Sequence, residues 1–311
     1  MSNRIRVPLV PECSSCIIDA LGTAIPLLTD DKKQQYTYFQ IAYERIGEGF
    51  KKQEPPLELS ILLHQKLYTM AGKMNPYASL KKQSIEAAKK SLPPIEKKVN
   101  QYKGYQKLRA ALAASITGNV IDFNVTGHDA QLGSLESVFT GIMEAGFTHD
   151  DSKLLWNTLS SQKGEMVFLA DNAGETYFDI PLLRLVKDLG WHITYIVKGK
   201  AMINDATRED IRGSEIEELA TVEDTGAWAH GVPKRWVSEE FLGAVRNSQL
   251  VISKGQANIE SFPEIQEETG VETYYVTRGK CPHISSSIGA KKGDNIVLRQ
   301  PAALASKTAG S

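Results

Sequence analysis

The sequence predicts an α/β protein, with an all-helical N-terminal domain followed by a domain built on a mainly parallel sheet. Three observations predict this. Up to about residue 118, apolar residues recur at helical spacing and β-branched runs are scarce. After Gly118, short apolar runs alternate with amphipathic stretches, which implies right-handed strand–helix–strand crossovers. The chain has 311 residues, 41% of them hydrophobic, which suits two domains with a sizeable core. The expected domains are residues 1–118, helical, and 119–311, α/β.

In the first part, Cys16 to Leu28 is apolar at most positions. Gln34 to Phe50 places Tyr38, Ile41, Ala42, Ile46 and Phe50 near a 3.6-residue period. Pro55 and Pro56 then mark a boundary before Leu57 to Met70, where Leu59, Leu62, Leu63 and Leu67 repeat the pattern. Tyr77 to Leu92 is a lysine-rich amphipathic stretch, expected to stop at Pro93 and Pro94. Leu108 to Ile116, rich in Ala and Leu, is expected to be buried.

The second part opens with the run Glu165 to Ala170 (EMVFLA), the look of a buried parallel strand. Tyr177 to Leu189 follows as a helix carrying Phe178, Leu182, Leu185 and Val186, with Gly190 as its stop. His192 to Val197 (HITYIV) is a second strand, and Thr207 to Gly213 starts a short helix. Gln249 to Ser253, Glu272 to Val276 and Asn295 to Leu298 complete five expected strands.

Composition narrows the function. Lys+Arg 36 against Asp+Glu 37 gives a net charge of −1, which does not support a broadly basic nucleic-acid binder or a polybasic membrane binder. No apolar run approaches the roughly 18 residues of a membrane span. Met1 to Val10 carries two arginines and no apolar stretch of signal-peptide length. A soluble cytoplasmic protein is therefore expected. Three cysteines are too few, and odd in number, for a secreted disulfide framework. Cys13 and Cys16 form a CxxC pair that is open to three readings: a redox pair, part of a metal site with Cys281 and His283, or thiols of a packed helix start. The Walker A, GxGxxG, HExxH, GxSxG and DxDx[TV] patterns are all absent.

Ligands of parallel sheets bind at the carboxyl ends of the strands. Those ends are Asp171-Asn172-Ala173-Gly174-Glu175, Lys198-Gly199-Lys200 with Asn204-Asp205 behind it, Lys254-Gly255-Gln256-Ala257-Asn258, and Arg278-Gly279-Lys280-Cys281. Neighbouring strands lie about 5 Å apart, so Asp171, Asn172 and Asp205 can converge on one hard divalent cation such as Mg²⁺ or Mn²⁺. Gly174 is expected to let a ligand approach the backbone. Lys254 and the Gly255 N–H, with Asn258 nearby, suit a phosphoryl oxygen. Asn119 and Asp122, at the junction of the two parts, can border the cleft. The bland alternatives are a turn at Asp171-Asn172, a helix cap at Asp205, a surface lysine at 254 and a capped turn at 119–122.

The ordered set GNVIDF, DNAGE, VKGKAMINDAT and SKGQAN resembles the metal-dependent damage-control phosphatases, long known as domain of unknown function eighty-nine. PECSSC and the late Arg-Gly-Lys-Cys look like the archaeal-type branch of that family, and the resemblance runs from about residue 8 to about residue 300. It implies an all-helical N-terminal domain packed on a three-layer α/β/α domain with a mainly parallel sheet. It also implies a divalent metal (Mg²⁺, Mn²⁺, Co²⁺ or Ni²⁺) on Asp171, Asn172 and Asp205. Lys254 is implied as the phosphate contact, with Asn119 and Asp122 at the border of the site. The implied reaction is hydrolysis of small phosphomonoesters, such as sugar phosphates or damaged phosphometabolites.

On this reading the partner is a small phosphorylated metabolite, with neither nucleic acid nor membrane, and the oligomeric state is open. Glu175 is the candidate to orient or deprotonate water, or alternatively starts a helix as an acidic residue. Two other classes stay in view: an S-adenosylmethionine-dependent carboxyl methyltransferase, and a non-catalytic sugar-phosphate sensor.

Overall fold

The computed structural model describes residues 5–120 and 132–302, and only the backbone of 132–134. Five helices come first: α1 (Cys13–Leu28), α2 (Lys32–Lys52), α3 (Pro56–Ala71), α4 (Ala78–Val99) and α5 (Gly104–Gly118). Next are α6 (Leu132–Ala145), β1 (His149–Asp150), α7 (Ser152–Ser161), β2 (Glu165–Leu169), α8 (Thr176–Asp188) and β3 (His192–Val197). The chain continues through α9 (Arg208–Ile211), α10 (Ile216–Leu219), β4 (Thr221–Asp224), α11 (Glu239–Asn247) and β5 (Leu250–Lys254). It closes with α12 (Gln256–Thr269), β6 (Glu272–Arg278), α13 (Pro282–Ser287) and β7 (Asn295–Gln300). Among the described residues no helix is long and apolar enough to cross a membrane.

The early helices follow the expected pattern, with one correction. Helix α2 begins where the Asp31 carboxylate accepts the Lys33 N–H at 2.9 Å. Helix α4 does not stop at Pro93 and Pro94 but runs on to Val99. Both prolines sit on its exposed face, while Leu92, Ile95 and Val99 keep the buried stripe in register. The helix therefore loses two N–H bonds only on its wet side. The carbonyls left over there belong to the exposed Lys89 and Lys90, where water can serve them.

Among the described residues the sheet has seven strands in the order β1-β7-β6-β5-β2-β3-β4, and only the β6–β7 pair is antiparallel. Strands β1 and β4 escape sequence reading because they are two and four residues long and lack any apolar run. Strand β2 lies in the middle. The chain moves outward from it to β3 and β4, then returns to its other side for β5 and β6. The strand order thus reverses between β2 and β5, which opens a crevice at their carboxyl ends.

The apolar faces show how the layers form. Met166, Phe168 and Ala170, with Tyr195 and Val197, share one core with α4 to α8. On the other face Val167, Leu169, Val251 and Tyr275 pack under α11, α12 and α13. The first 118 residues do not make one separately cored unit. Helices α1 to α3 cluster with Met202, Ala227 and Ala229, whereas α4 and α5 belong to the core of the sheet.

Helix α5 is buried from Leu108 to Gly118 except at Arg109 and is the most deeply enclosed helix of that layer. Leu112→Ala should cost about 2–5 kcal/mol of stability in a single urea transition. A loss below about 1 kcal/mol would contradict the shared core.

Candidate active site

The site starts from two loops pinned together by their own backbones. After β2, the Asp171 carbonyl accepts the Ala206 N–H at 2.8 Å, and the Ala173 N–H donates to the Asn204 carbonyl at 2.9 Å. Asn172 therefore faces Asp205 across an isolated antiparallel bridge. The second loop reaches this position through Ile203, which takes a left-handed φ of 50° that a β-branched residue rarely adopts. Asp171, Asn172 and Asp205 are thereby placed side by side, all buried. Lys198 stands beneath them, donating to the Ala170 carbonyl at 2.8 Å with its ammonium 3.5 Å from Asp205 Oδ2.

Two glycines are demanded here for different reasons. Gly255 has φ +79°, and a β-carbon on it would overlap the Asp171 carboxylate. The end of β5 thus holds the carboxylate of β2 against bare backbone. Gly174 corrects an expectation. What occupies the space beside it is Ser84 of α4, whose carbonyl would lie 3.0 Å from a β-carbon, so the close approach is helix packing and not ligand. Asn258 also turns inward, donating to the Ala170 carbonyl at 3.2 Å and the Lys254 carbonyl at 2.7 Å, and so ties the β2 and β5 ends together.

Glu175 is held at both oxygens. Asn172 Nδ2 donates to Oε1 at 2.7 Å, and Asn119 Nδ2 donates to Oε2. Asn119 in turn accepts the Arg278 N–H at 3.2 Å, so the end of α5 is fastened to the end of β6. Asp122 lies outside the described residues.

The expected role of Lys254 as a loop lysine free to meet a phosphoryl oxygen needs correction. Its side chain is fully buried. Two of its N–H bonds go to the Ser115 carbonyl at 3.1 Å and Asp179 Oδ1 at 3.0 Å. The ammonium is 3.8 Å from Glu175 Oε2, beyond hydrogen-bond reach, which leaves one N–H on that side. Asp179 is the anchor of this layer: it also accepts Ser115 Oγ at 2.6 Å and the Tyr195 hydroxyl at 2.9 Å.

The charges are crowded, and the pKa values respond. Burial, then Asp205, pushes Asp171 up to about 6. Burial, then Asp171, pushes Glu175 up to about 8, against the pull of Lys254 and Lys280. Burial also raises Asp205, opposed by Lys198 and Lys81. For Lys254, burial disfavours the charge, but Asp179 and Glu175 outweigh it and the value ends above the ordinary lysine range.

Lys81, Asp179, Lys198 and Lys280 join the site beyond the residues expected to form it. A local signal exists for three of them, Lys198 standing directly after the second expected strand. Asp179 falls one turn after Glu175, a carboxylate on the apolar side of α8, and Lys280 closes the fourth strand end. Lys81 carries no local signal, because α4 and Asp205 meet only in the fold.

The donor set fits a hard divalent cation. Two buried carboxylates and an amide lie on the two bridged loops, and Asp205 Oδ2 is buried with no hydrogen bond and only the Lys198 ammonium 3.5 Å away. Among the described residues no three His, Cys, Asp or Glu side chains converge as metal ligands, so a cation here would rest on the Asp–Asn–Asp set. Cys13, Cys16 and Cys281 are free thiols, and burial pushes the first two up, away from thiolate chemistry.

Two outcomes follow. Asp179→Asn leaves the Lys254 charge buried without its carboxylate and should cost about 3–5 kcal/mol in urea unfolding; a loss under about 1 kcal/mol would contradict the anchor. For pH, the raised carboxyls of Asp171 and Glu175 bind more protons in the folded chain than in the unfolded one. The contribution of these two groups to the stability of the metal-free protein is therefore greatest below the ordinary carboxylate range. It falls as pH rises through about 6 and on through about 8. Added Mn²⁺ favours the ionised forms, so its increment in Tm should grow over the same window. Equal increments at about pH 5 and about pH 8 would contradict this reading.

The chain resembles known proteins over nearly its full length. The damage-control phosphatase ARMT1-like domain matches residues 9–296. An uncharacterised protein of Methanocaldococcus jannaschii is 30% identical, with 94% of this chain and 96% of the relative covered. A damage-control phosphatase of Pyrococcus horikoshii is 28% identical, covering 93% and 96%. In three dimensions, a DUF89-family protein of Pyrococcus horikoshii superposes with a TM-score of 0.82 at 26% identity, covering 94% of this chain and 99% of that one. Strand ends, buried carboxylates and helical layer thus occur in a chain that belongs to the damage-control phosphatase ARMT1-like domain family.

Proposed function

We propose that this chain is a divalent-metal-dependent phosphatase of small phosphomonoesters, either sugar phosphates or damaged phosphometabolites. Relatives named as damage-control phosphatases support the phosphatase role. Metal dependence rests on one observation above the others: two buried carboxylates, Asp171 and Asp205, flank Asn172, and Asp205 Oδ2 has no hydrogen bond and only the Lys198 ammonium at 3.5 Å. Buried carboxylates crowded in this way are costly, and a divalent cation on them would offset that cost.

In this reading Asp171, Asn172 and Asp205 hold the cation. When bound, it supplies charge to neutralise the phosphoryl oxygens and to acidify water. The remaining N–H of Lys254, with the Gly255 N–H, stabilises phosphoryl oxygens at the β5 end. Lys280, acting on Asp171 and Glu175 from the β6 end, adds a second positive group. Asn172 and Asn119 grip Glu175 at both oxygens and fix where it can take a proton. Burial makes its carboxylate a stronger base than a free one, which suits a general base near neutral pH.

The test is phosphate release from p-nitrophenyl phosphate and a set of sugar phosphates. Chelated protein is assayed with Mg²⁺, Mn²⁺, Co²⁺ or Ni²⁺ restored, beside Asp171→Ala. Release that needs metal and falls at least about 100-fold in the variant is expected, since about 2.7 kcal/mol of transition-state stabilisation is lost. Metal-independent release, or full activity in folded Asp171→Ala, would sink the assignment. Binding of phosphate esters without turnover would point to the sensor class.

A further inference from the structure

The three cysteines take no part in the chemistry above, yet the fold brings them to one place. Cys13 and Cys16 stand one turn apart at the start of α1, and Cys281 follows the end of β6. The two segments meet on both sides of the thiols. Glu12 Oε2, next to Cys13, lies 3.8 Å from His283 Nε2, two residues past Cys281. Ile5 and Val7, ahead of the CxxC pair, pack on the same apolar cluster as Cys281. The backbone is fixed at each end: the Val10 carbonyl accepts the Cys13 N–H at 3.0 Å, and Gln256 Oε1 accepts the Cys281 N–H at 2.8 Å. The thiols act on one another across this contact. Cys281 bears on both Cys13 and Cys16, and on Cys16 more strongly than Cys13 does from one helical turn away.

Exposure and chemistry select the kind of site. Cys16 is exposed, and Cys13 and Cys281 are half-buried, so a small reagent in solution reaches them. Burial, reinforced by the neighbouring thiols, holds Cys13 and Cys16 above the ordinary thiol range. That suits slow exchange and not a fast nucleophile. Among the described residues no three such side chains converge as metal ligands, which sets a soft-metal centre aside. Oxidation is what remains open to crowded, accessible thiols, because a disulfide carries neither the ionisable groups nor their crowding.

We propose that Cys16 and Cys281 form a thiol–disulfide site that takes a low-molecular-weight disulfide as its oxidant and, once joined, ties α1 to the end of β6. The Cys16 thiolate attacks one sulfur of the reagent, forms a mixed disulfide and expels one thiol. Cys281 then attacks the Cys16 sulfur and expels the second. The protein gives up two protons and two electrons, and the reagent leaves as two thiols. Neither step involves the phosphoryl chemistry. Helices α1 to α3 cluster apart from the core of the sheet, so the bond is a covalent tie between the two layers. It also falls beside Lys280, whose N–H shares Gln256 Oε1 with that of Cys281.

The test incubates the full-length protein with glutathione disulfide in the absence of denaturant. The product is alkylated, digested without reductant and mapped by mass spectrometry. One Cys16–Cys281 link is expected, with two glutathione molecules released per chain. Tm should rise by about 5 °C or more, because the link closes a long loop, and should fall back on reduction with dithiothreitol. Cys13→Ser should keep both the link and the rise, whereas Cys281→Ser should lose both. A bond confined to Cys13 and Cys16 would overturn the proposal. So would glutathione retained as a mixed disulfide, thiols left unmodified, or a Cys16–Cys281 link that leaves Tm unchanged.

Discussion

Two backbone hydrogen bonds, Ala206 N–H to Asp171 carbonyl and Ala173 N–H to Asn204 carbonyl, press the loops after β2 and β3 together, and the surroundings answer to the charge they concentrate. Two like charges about 5 Å apart repel by roughly 3 kcal/mol at an effective dielectric of 20, and burial adds to that. The protein meets this cost in two ways. Lysines approach from four elements or their ends: Lys81 on α4, Lys198 after β3, Lys254 at the end of β5 and Lys280 after β6. The carboxyls also hold their protons to higher pH than free ones do. On the reading proposed above, a divalent cation would relieve the same crowding.

The helical layer completes the site and does not merely sit on it. Ser84 of α4 fills the space beside Gly174, and Lys81 reaches Asp210 at 2.5 Å while acting on Asp205. Ser115 of α5 touches Asp179 and Lys254, and Asn119 at its end grips Glu175. Helices α4 and α5 share the core of the sheet, so these contacts are as rigid as the core itself. Helices α1 to α3 pack separately against the Met202 and Ala227 loops.

Part of the site is legible in the order of residues. Asp171, Asn172 and Gly255 stand out because they close apolar runs, and Asp205 because it lies in the loop after the next one, where ligands gather at strand ends. Lys254 stands out by the same rule, but its direction does not, because Asp179 and Ser115 come from other elements. Gly174 is visible as a special position, yet its neighbour is not, since only packing brings Ser84 there. Strands β1 and β4 leave no trace because edge strands of two and four residues bury too little to carry an apolar signature.

Local periodicity and the succession of elements are both written along the chain. They suffice for the helical first part, for the parallel sheet behind it, and for which strand ends carry carboxylate, amide and lysine. Other features arise only when the chain is folded. The reversal of strand order between β2 and β5 is one, and the pairing of Lys254 with Asp179 is another. The grip of Asn119 on Glu175 belongs with them. Each joins residues many positions apart, and their energies depend on burial and distance, which a linear order of residues does not contain.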